Sequence, residues 1–186
     1  MKPNSKCTPW GTAQDYYPFL GSKLFHVSTA RHGGVWVPED LNKRIPEKFR
    51  SPHGWYEEDC HCCILPLFLP ELFSETSKSQ VESTVKNWYP EVWELVTGTV
   101  LPLSESHKKR EAAFYLEHKD SLIVHCAFGD WHEKVPKGFV GVAARIGCFS
   151  SSGPSRYFLV PAEEYKTRSS FGFVIDLTKH TEVPAL

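Results

Sequence analysis

The chain has 186 residues, 41% of them apolar and 23% charged, which excludes wholesale disorder and suits one compact domain. Its 21 Lys+Arg against 22 Asp+Glu leave a net charge of -1, so no global field draws it to nucleic acid or an acidic membrane. Aromatics reach 13%, with 6 Trp, and rigid aromatic packing is expected in the core and at any binding face.

Residues 1–22 carry Pro3, Pro9, Gly11, Pro18 and Gly21 and read as an irregular arm, docked on the body by Trp10, Tyr16, Tyr17, Phe19 and Leu20. Met1 to Lys6 lacks an apolar signal region, and no apolar run nears the ~18 residues of a membrane span. A soluble, cytoplasmic protein is therefore expected, and in that compartment the 6 Cys are expected to be reduced. Leu24 to Thr29 reads as a strand, His32-Gly33-Gly34 as a tight turn and Val35-Trp36-Val37 as extended chain. Pro38 opens a short helix with Glu39 and Asp40 in its first turn, and Pro46 starts another turn.

Gly54 precedes a predicted helix over 55–65, with Glu57, Glu58 and Asp59 where a helix dipole favours acids, and Pro66 and Pro70 end or kink it. Val81, Val85 and Trp88 recur at helical spacing within a helix over 74–88. Pro90 starts a further helical segment that Gly98 stops, and Ser104 to Lys119 is a charged helix. Strands follow over 122–128, 139–146, 156–160 and 171–175, separated by turns that include Ser150 to Pro154. Alternation places Leu122, Val124, Cys126 and Phe128 on one buried face, opposite Val140, Val142, Ala144 and Ile146. The expected fold is a single α+β domain over 1–186: an antiparallel sheet, a meander in its C-terminal half, with helices packed on one face.

Five stretches resemble a bacterial and mobile-element family known only as domain of unknown function number seven thousand and seven. They are Ser28-Thr29-Ala30 with His32-Gly33-Gly34, Gly54-Trp55-Tyr56-Glu57-Glu58-Asp59-Cys60, Gly129-Asp130-Trp131, Phe158-Leu159-Val160-Pro161 with Glu164-Tyr165 and Arg168, and Phe171-Gly172-Phe173-Val174-Ile175-Asp176. The resemblance implies an accessory role in plasmid, integrative-element or phage-like DNA, and it supplies no established activity and no agreed catalytic residues. His61-Cys62-Cys63 departs from the apolar and aromatic residues the family tends to place there.

Three chemistries compete at these residues. Cys60 as a thiol nucleophile, His32 as its base and Asp130 as the orienting acid would make a cysteine-dependent hydrolase or transferase, with the Gly33-Gly34 N–H groups as oxyanion donors. Glu57, Glu58 and Asp59 would disfavour a thiolate there, and a Cys60 packed inward is the simpler reading. Cys60, His61 and Cys63 are zinc-ligand types, but no second paired cluster completes four ligands, so no cofactor is expected and zinc is the alternative. The acidic run could hold a cation only with help from another segment, because successive helical residues diverge by ~100°. Trp36, Trp55, Tyr56 and Trp131 sit at element ends and become interface anchors if exposed. Lys108, Lys109 and Arg110 form a basic patch that could meet phosphate, diluted by Glu105, Glu111 and Glu117.

The charge balance favours a binder. The mobile-element setting that the resemblance implies makes the expected role protein–protein contact with a host protein or complex, for instance one that serves CRISPR or restriction defence. The alternatives are the cysteine enzyme and a zinc-stabilised or nucleic-acid-binding module, and no membrane partner is expected.

Overall fold

The computed structural model describes residues 8–19, 23–148 and 153–186. Cys7, Leu20 and most of the expected turn at Ser150 to Pro154 lie outside them. The chain gathers into two compact units, residues 1–109 and 110–186. The division falls within α5 (His107–Glu117). The class is α+β, and in place of one sheet there are two, each of four antiparallel strands in sequential order.

In the first unit the strands are β1 (Asp15–Pro18), β2 (Phe25–Ser28), β3 (Gly33–Trp36) and β4 (Trp55–Glu57). β1 lies in the stretch read as irregular. Its alternating aromatics explain the pairing: Tyr16 stacks on Phe25 at 4.8 Å and Tyr17 on His26 at 4.9 Å, on opposite faces of the ribbon. The turn between β2 and β3 is Thr29 to His32, where the Thr29 N–H and hydroxyl both donate to the His32 carbonyl at 2.8 Å. Gly33 and Gly34 are thus strand residues, not the turn itself. Neither has positive φ; glycine is needed for close approach. A Cβ on Gly33 would strike the Glu58 carboxylate, and one on Gly34 the Tyr56 carbonyl oxygen and the Trp10 ring.

The helix expected over 55–65 is corrected at its start. Trp55–Glu57 is β4, which pairs Tyr56 with Val35 and Trp55 with Trp36. Tyr56 is fully buried, and its hydroxyl donates to Asn42 Oδ1 at 2.6 Å and accepts the Ser51 N–H at 3.1 Å. Period-two burial outweighs the first-turn acids. Helical chain resumes with a 3₁₀ turn at His61–Ile64 and continues as α2 (Leu65–Phe68).

The other helices follow the expected signals. Pro38 precedes α1 (Glu39–Asn42). Ser74 caps α3 (Glu75–Trp88), its hydroxyl accepting the Ser77 N–H at 3.1 Å. Pro90 starts α4 (Pro90–Thr97), which Gly98 ends with φ 67° in the left-handed region. Leu24, Val35, Tyr56, Ile64, Leu65, Leu69, Val85 and Val92 close one core between sheet and helices.

In the second unit β5 (Leu122–Phe128), β6 (Phe139–Ile146), β7 (Arg156–Pro161) and β8 (Thr181–Val183) form a meander, with α6 (Ala162–Lys166) after β7. The fourth strand is not Phe171 to Ile175. That segment lies beside β5, where the Val124 N–H meets the Phe173 carbonyl at 2.9 Å and the Ile175 N–H meets the Leu122 carbonyl at 2.8 Å, but it makes a bridge rather than a ladder. The expected buried face of β5 is also corrected. The register shifts between Val124 and Cys126, which bulges His125 out of the ladder, so Leu122 is buried and Cys126 exposed. Val142, Ala144, Phe158, Val160 and Ile175 complete that core. Among the described residues no helix is long and apolar enough to cross a membrane.

Gly34→Ala should cost about 1–3 kcal/mol of stability, because the new methyl meets a backbone carbonyl that cannot swing away. Urea denaturation checks this; an unchanged midpoint would show that β3 and β4 can part freely.

Candidate functional site

The residues singled out in the first unit converge on the end of its sheet. His32 leads from the β2–β3 turn into β3 and is exposed. Glu57 ends β4 directly opposite Gly34, and Asp59 follows in the next turn. Strand pairing thereby brings the imidazole and two carboxylates together: one ligand atom of each of His32, Glu57 and Asp59 lies within 4.8 Å of the other two. Glu57 Oε2 accepts the N–H groups of Asp59 at 3.0 Å and Cys60 at 3.4 Å, while Oε1 is shut off from solvent and meets no donor. Glu58 turns to the other face, where its carboxylate lies 3.9 Å from His26 Nε2.

The cysteine chemistry assembles differently. Cys60 is half-buried just before the 3₁₀ turn and does not join the His32 group. Asp130 is exposed in the second unit. Cys62 donates its S–H to the Glu58 carbonyl at 3.1 Å. Burial, reinforced by the charge of Glu57 and Glu58, pushes its thiol up to about 11. Burial pushes Cys63, in the core, up to about 12. His61 packs between Tyr56 at 4.6 Å and Tyr89 at 6.1 Å, and desolvation lowers its pKa. Cys60, His61 and Cys63 thus point to different environments, and among the described residues they form no metal-ligand group. The five described cysteines, Cys60, Cys62, Cys63, Cys126 and Cys148, are free thiols.

The aromatic candidates divide. Tyr56 is core. Trp36 and Trp55 are half-buried on the opposite sheet face, where Trp10 meets Trp55 edge-on at 5.7 Å. Trp131 is 77% exposed in the second unit. The basic patch is largely neutralised within its own unit: Lys108 pairs with Glu91 at 3.5 Å, and Lys109 with Glu94 and with the Leu101 carbonyl at 2.7 Å.

Two features went unread in the sequence. Between α2, α3 and α4 lies a groove of about 440 Å³ with apolar walls from Pro66, Leu67, Trp93 and Val96. On and beyond α4, Leu95, Val96, Val100 and Leu103 are exposed, Val100 by 79%. Their signal was the apolar surplus of Val92-Trp93-Glu94-Leu95-Val96, which exceeds what one buried helix face needs. In the second unit, Ser155 Oγ accepts the Arg145 Nε–H at 3.0 Å and lies 3.0 Å from His125 Nε2, whose pKa is lowered by burial and then by Arg145. No sequence spacing announces that cluster, because the bulge re-aims His125.

An α+β protein with an acidic, histidine-bearing sheet end and an apolar helical groove is thus defined. The chain belongs to the family described as Domain of unknown function (DUF7007), whose model matches residues 3–119. The match takes in the His32-Gly33-Gly34 and Gly54-to-Cys60 stretches and runs to the end of α5, while the three stretches from 129 to 176 lie beyond it. No curated protein and no solved structure matches the chain.

The raised thiols make stability pH-dependent with a definite sign. A folded pKa above the unfolded value of about 9 gives stability that is fully present below pH 9 and is lost as pH rises through 11 to 12. Unfolding free energy should fall over that range, and less steeply in Cys63→Ala. Equal slopes in wild type and variant, measured by denaturant titration, would contradict the burial of Cys63.

Proposed function

We propose that this chain is an accessory protein that acts by binding another protein. The observation that carries the reading is the apolar groove between α2, α3 and α4, continued by the exposed Leu95, Val96 and Val100. Apolar side chains left in water on one helix and its following loop mark interaction surfaces when they adjoin a groove. A groove between helices accepts the apolar face of an amphipathic segment, and Glu75, Lys78 and Glu82 along its rim would read the partner's charges. The resemblance to a mobile-element family makes a host complex, such as one of CRISPR or restriction defence, the partner class to test.

The cysteine-enzyme reading draws less support. The groups within ligand reach of His32 are Glu57 and Asp59, and Cys60, the expected nucleophile, is not among them. The nucleic-acid reading is weakened by the pairing of Lys108 and Lys109 with Glu91 and Glu94.

The experiment is affinity capture from host lysate with mass spectrometry, comparing wild type with a Val96→Glu, Val100→Glu variant. The wild type should retain a defined host protein that the variant loses. The variant's stability should change by no more than about 0.5 kcal/mol per site, since both side chains are solvent-exposed. Retention of the same protein by both would move the interface elsewhere. Loss of cellular function in Cys60→Ser and His32→Ala, with the groove variant active, would favour the enzyme.

A further inference from the structure

We infer that His32, Glu57 and Asp59 form a binding site for a divalent first-row transition ion of the Mn²⁺ or Zn²⁺ kind. The site is independent of the groove and is not built from the cysteines. Its ligand atoms come from two segments that only the β3–β4 pairing brings together, and they lie within 4.8 Å of one another. That span fits three oxygen or nitrogen ligands around one ion bound at about 2.0–2.2 Å, after a small inward movement of the exposed His32 and Asp59 side chains toward Glu57.

Glu57 adds a second observation that bears on cation binding. Its Oε2 is engaged by two backbone N–H groups, which fix the carboxylate. Its Oε1 is closed to solvent and meets no donor. A shielded carboxylate oxygen with no partner is costly, and a metal ion removes that cost as a hydrogen-bond donor would. Neither Glu57 nor Asp59 has a lysine or arginine salt bridge among the described residues. The acids therefore stand beside His32 without a fixed cation of their own.

The donor set selects the metal class. Imidazole suits zinc, iron, nickel and copper, carboxylates suit magnesium, calcium and manganese, and their combination favours the borderline transition ions. Three protein ligands at an exposed sheet end leave coordination positions open to water, unlike a closed structural zinc site. The fold is complete without the ion: Tyr56 and Val35 hold β4 to β3 from the opposite face.

The test uses the full chain, stripped with chelator, and Mn²⁺ titration followed by electron paramagnetic resonance, with Mg²⁺ as competitor. One equivalent of Mn²⁺ should bind saturably, and His32→Ala, Glu57→Gln and Asp59→Asn should each weaken it by about tenfold or more. Circular dichroism of each metal-free variant separates lost binding from lost folding. If Glu57→Gln fails to fold, His32→Ala in its exposed turn still decides. Co²⁺ spectra complete the test: a thiolate absorption band lost in Cys60→Ser or Cys63→Ser but kept in His32→Ala would place the ion on the cysteines and overturn the proposal. Absence of saturable Mn²⁺ binding, or binding unchanged in His32→Ala, would overturn it equally.

Discussion

The buried hydroxyl of Tyr56 is the constraint on which the first unit depends. It donates to Asn42 Oδ1 at 2.6 Å and accepts the Ser51 N–H at 3.1 Å, while Asn42 Nδ2 donates to the Ser51 carbonyl at 2.8 Å. Every member of this buried ring is satisfied, the condition under which a polar network specifies one arrangement instead of penalising it. Burial raises the Tyr56 pKa, so the hydroxyl stays a donor across the physiological range. The ring ties α1, the loop before β4 and β4 itself into one piece. With Tyr56 fixed inward, β4 must present Trp55 and Glu57 to the other face.

The remaining features of the sheet end follow from that placement. Gly34 lies opposite Glu57, and the lack of a side chain lets β3 press against the Tyr56 carbonyl while Trp10 covers the glycine. The acids leave the sheet at the end where the Thr29-to-His32 turn arrives, so His32 meets Glu57 and Asp59. The chain then turns inward, and the next side chains divide by solvation. Cys63 joins the core, Cys62 is tied to the Glu58 carbonyl, and His61 packs at a tilt against Tyr56. Carboxylates remain at the rim and protonated thiols beneath it, an arrangement better suited to holding a cation than to exposing a thiolate.

In the second unit a different contact organises the chain after β7. His180 is buried; its Nδ1 accepts the Asp176 N–H at 3.0 Å, so the proton sits on Nε2, which faces Glu164 Oε1 at 3.2 Å. This clasp fastens the Asp176-to-His180 turn to α6. Asp176 in turn accepts from the Thr178 N–H and hydroxyl, which holds its carboxyl down to about 2. Glu164 and Asp176 lie beyond the residues that the family model matches, and their role in the structure is to hold this turn.

Local chemistry was legible in the sequence wherever one residue decides an element. Ser74 caps α3, Pro90 starts α4, Gly98 ends it and apolar runs mark β5, β6 and β7. The candidate site was legible in composition alone: His32, Glu57 and Asp59 each stood out, but as members of different readings. What only tertiary structure decided was their meeting. Trp55-Tyr56-Glu57 carries a helix-start signal and a strand signal at once, and the Tyr56 ring with Asn42 and Ser51 settles the contest for the strand. A bulge at His125 likewise turns Cys126 outward, although strict alternation would bury it. Periodicity reports which side chains share a face, but strand pairing across 19 to 23 residues and the insertion of one bulged residue depend on partners that local sequence does not contain.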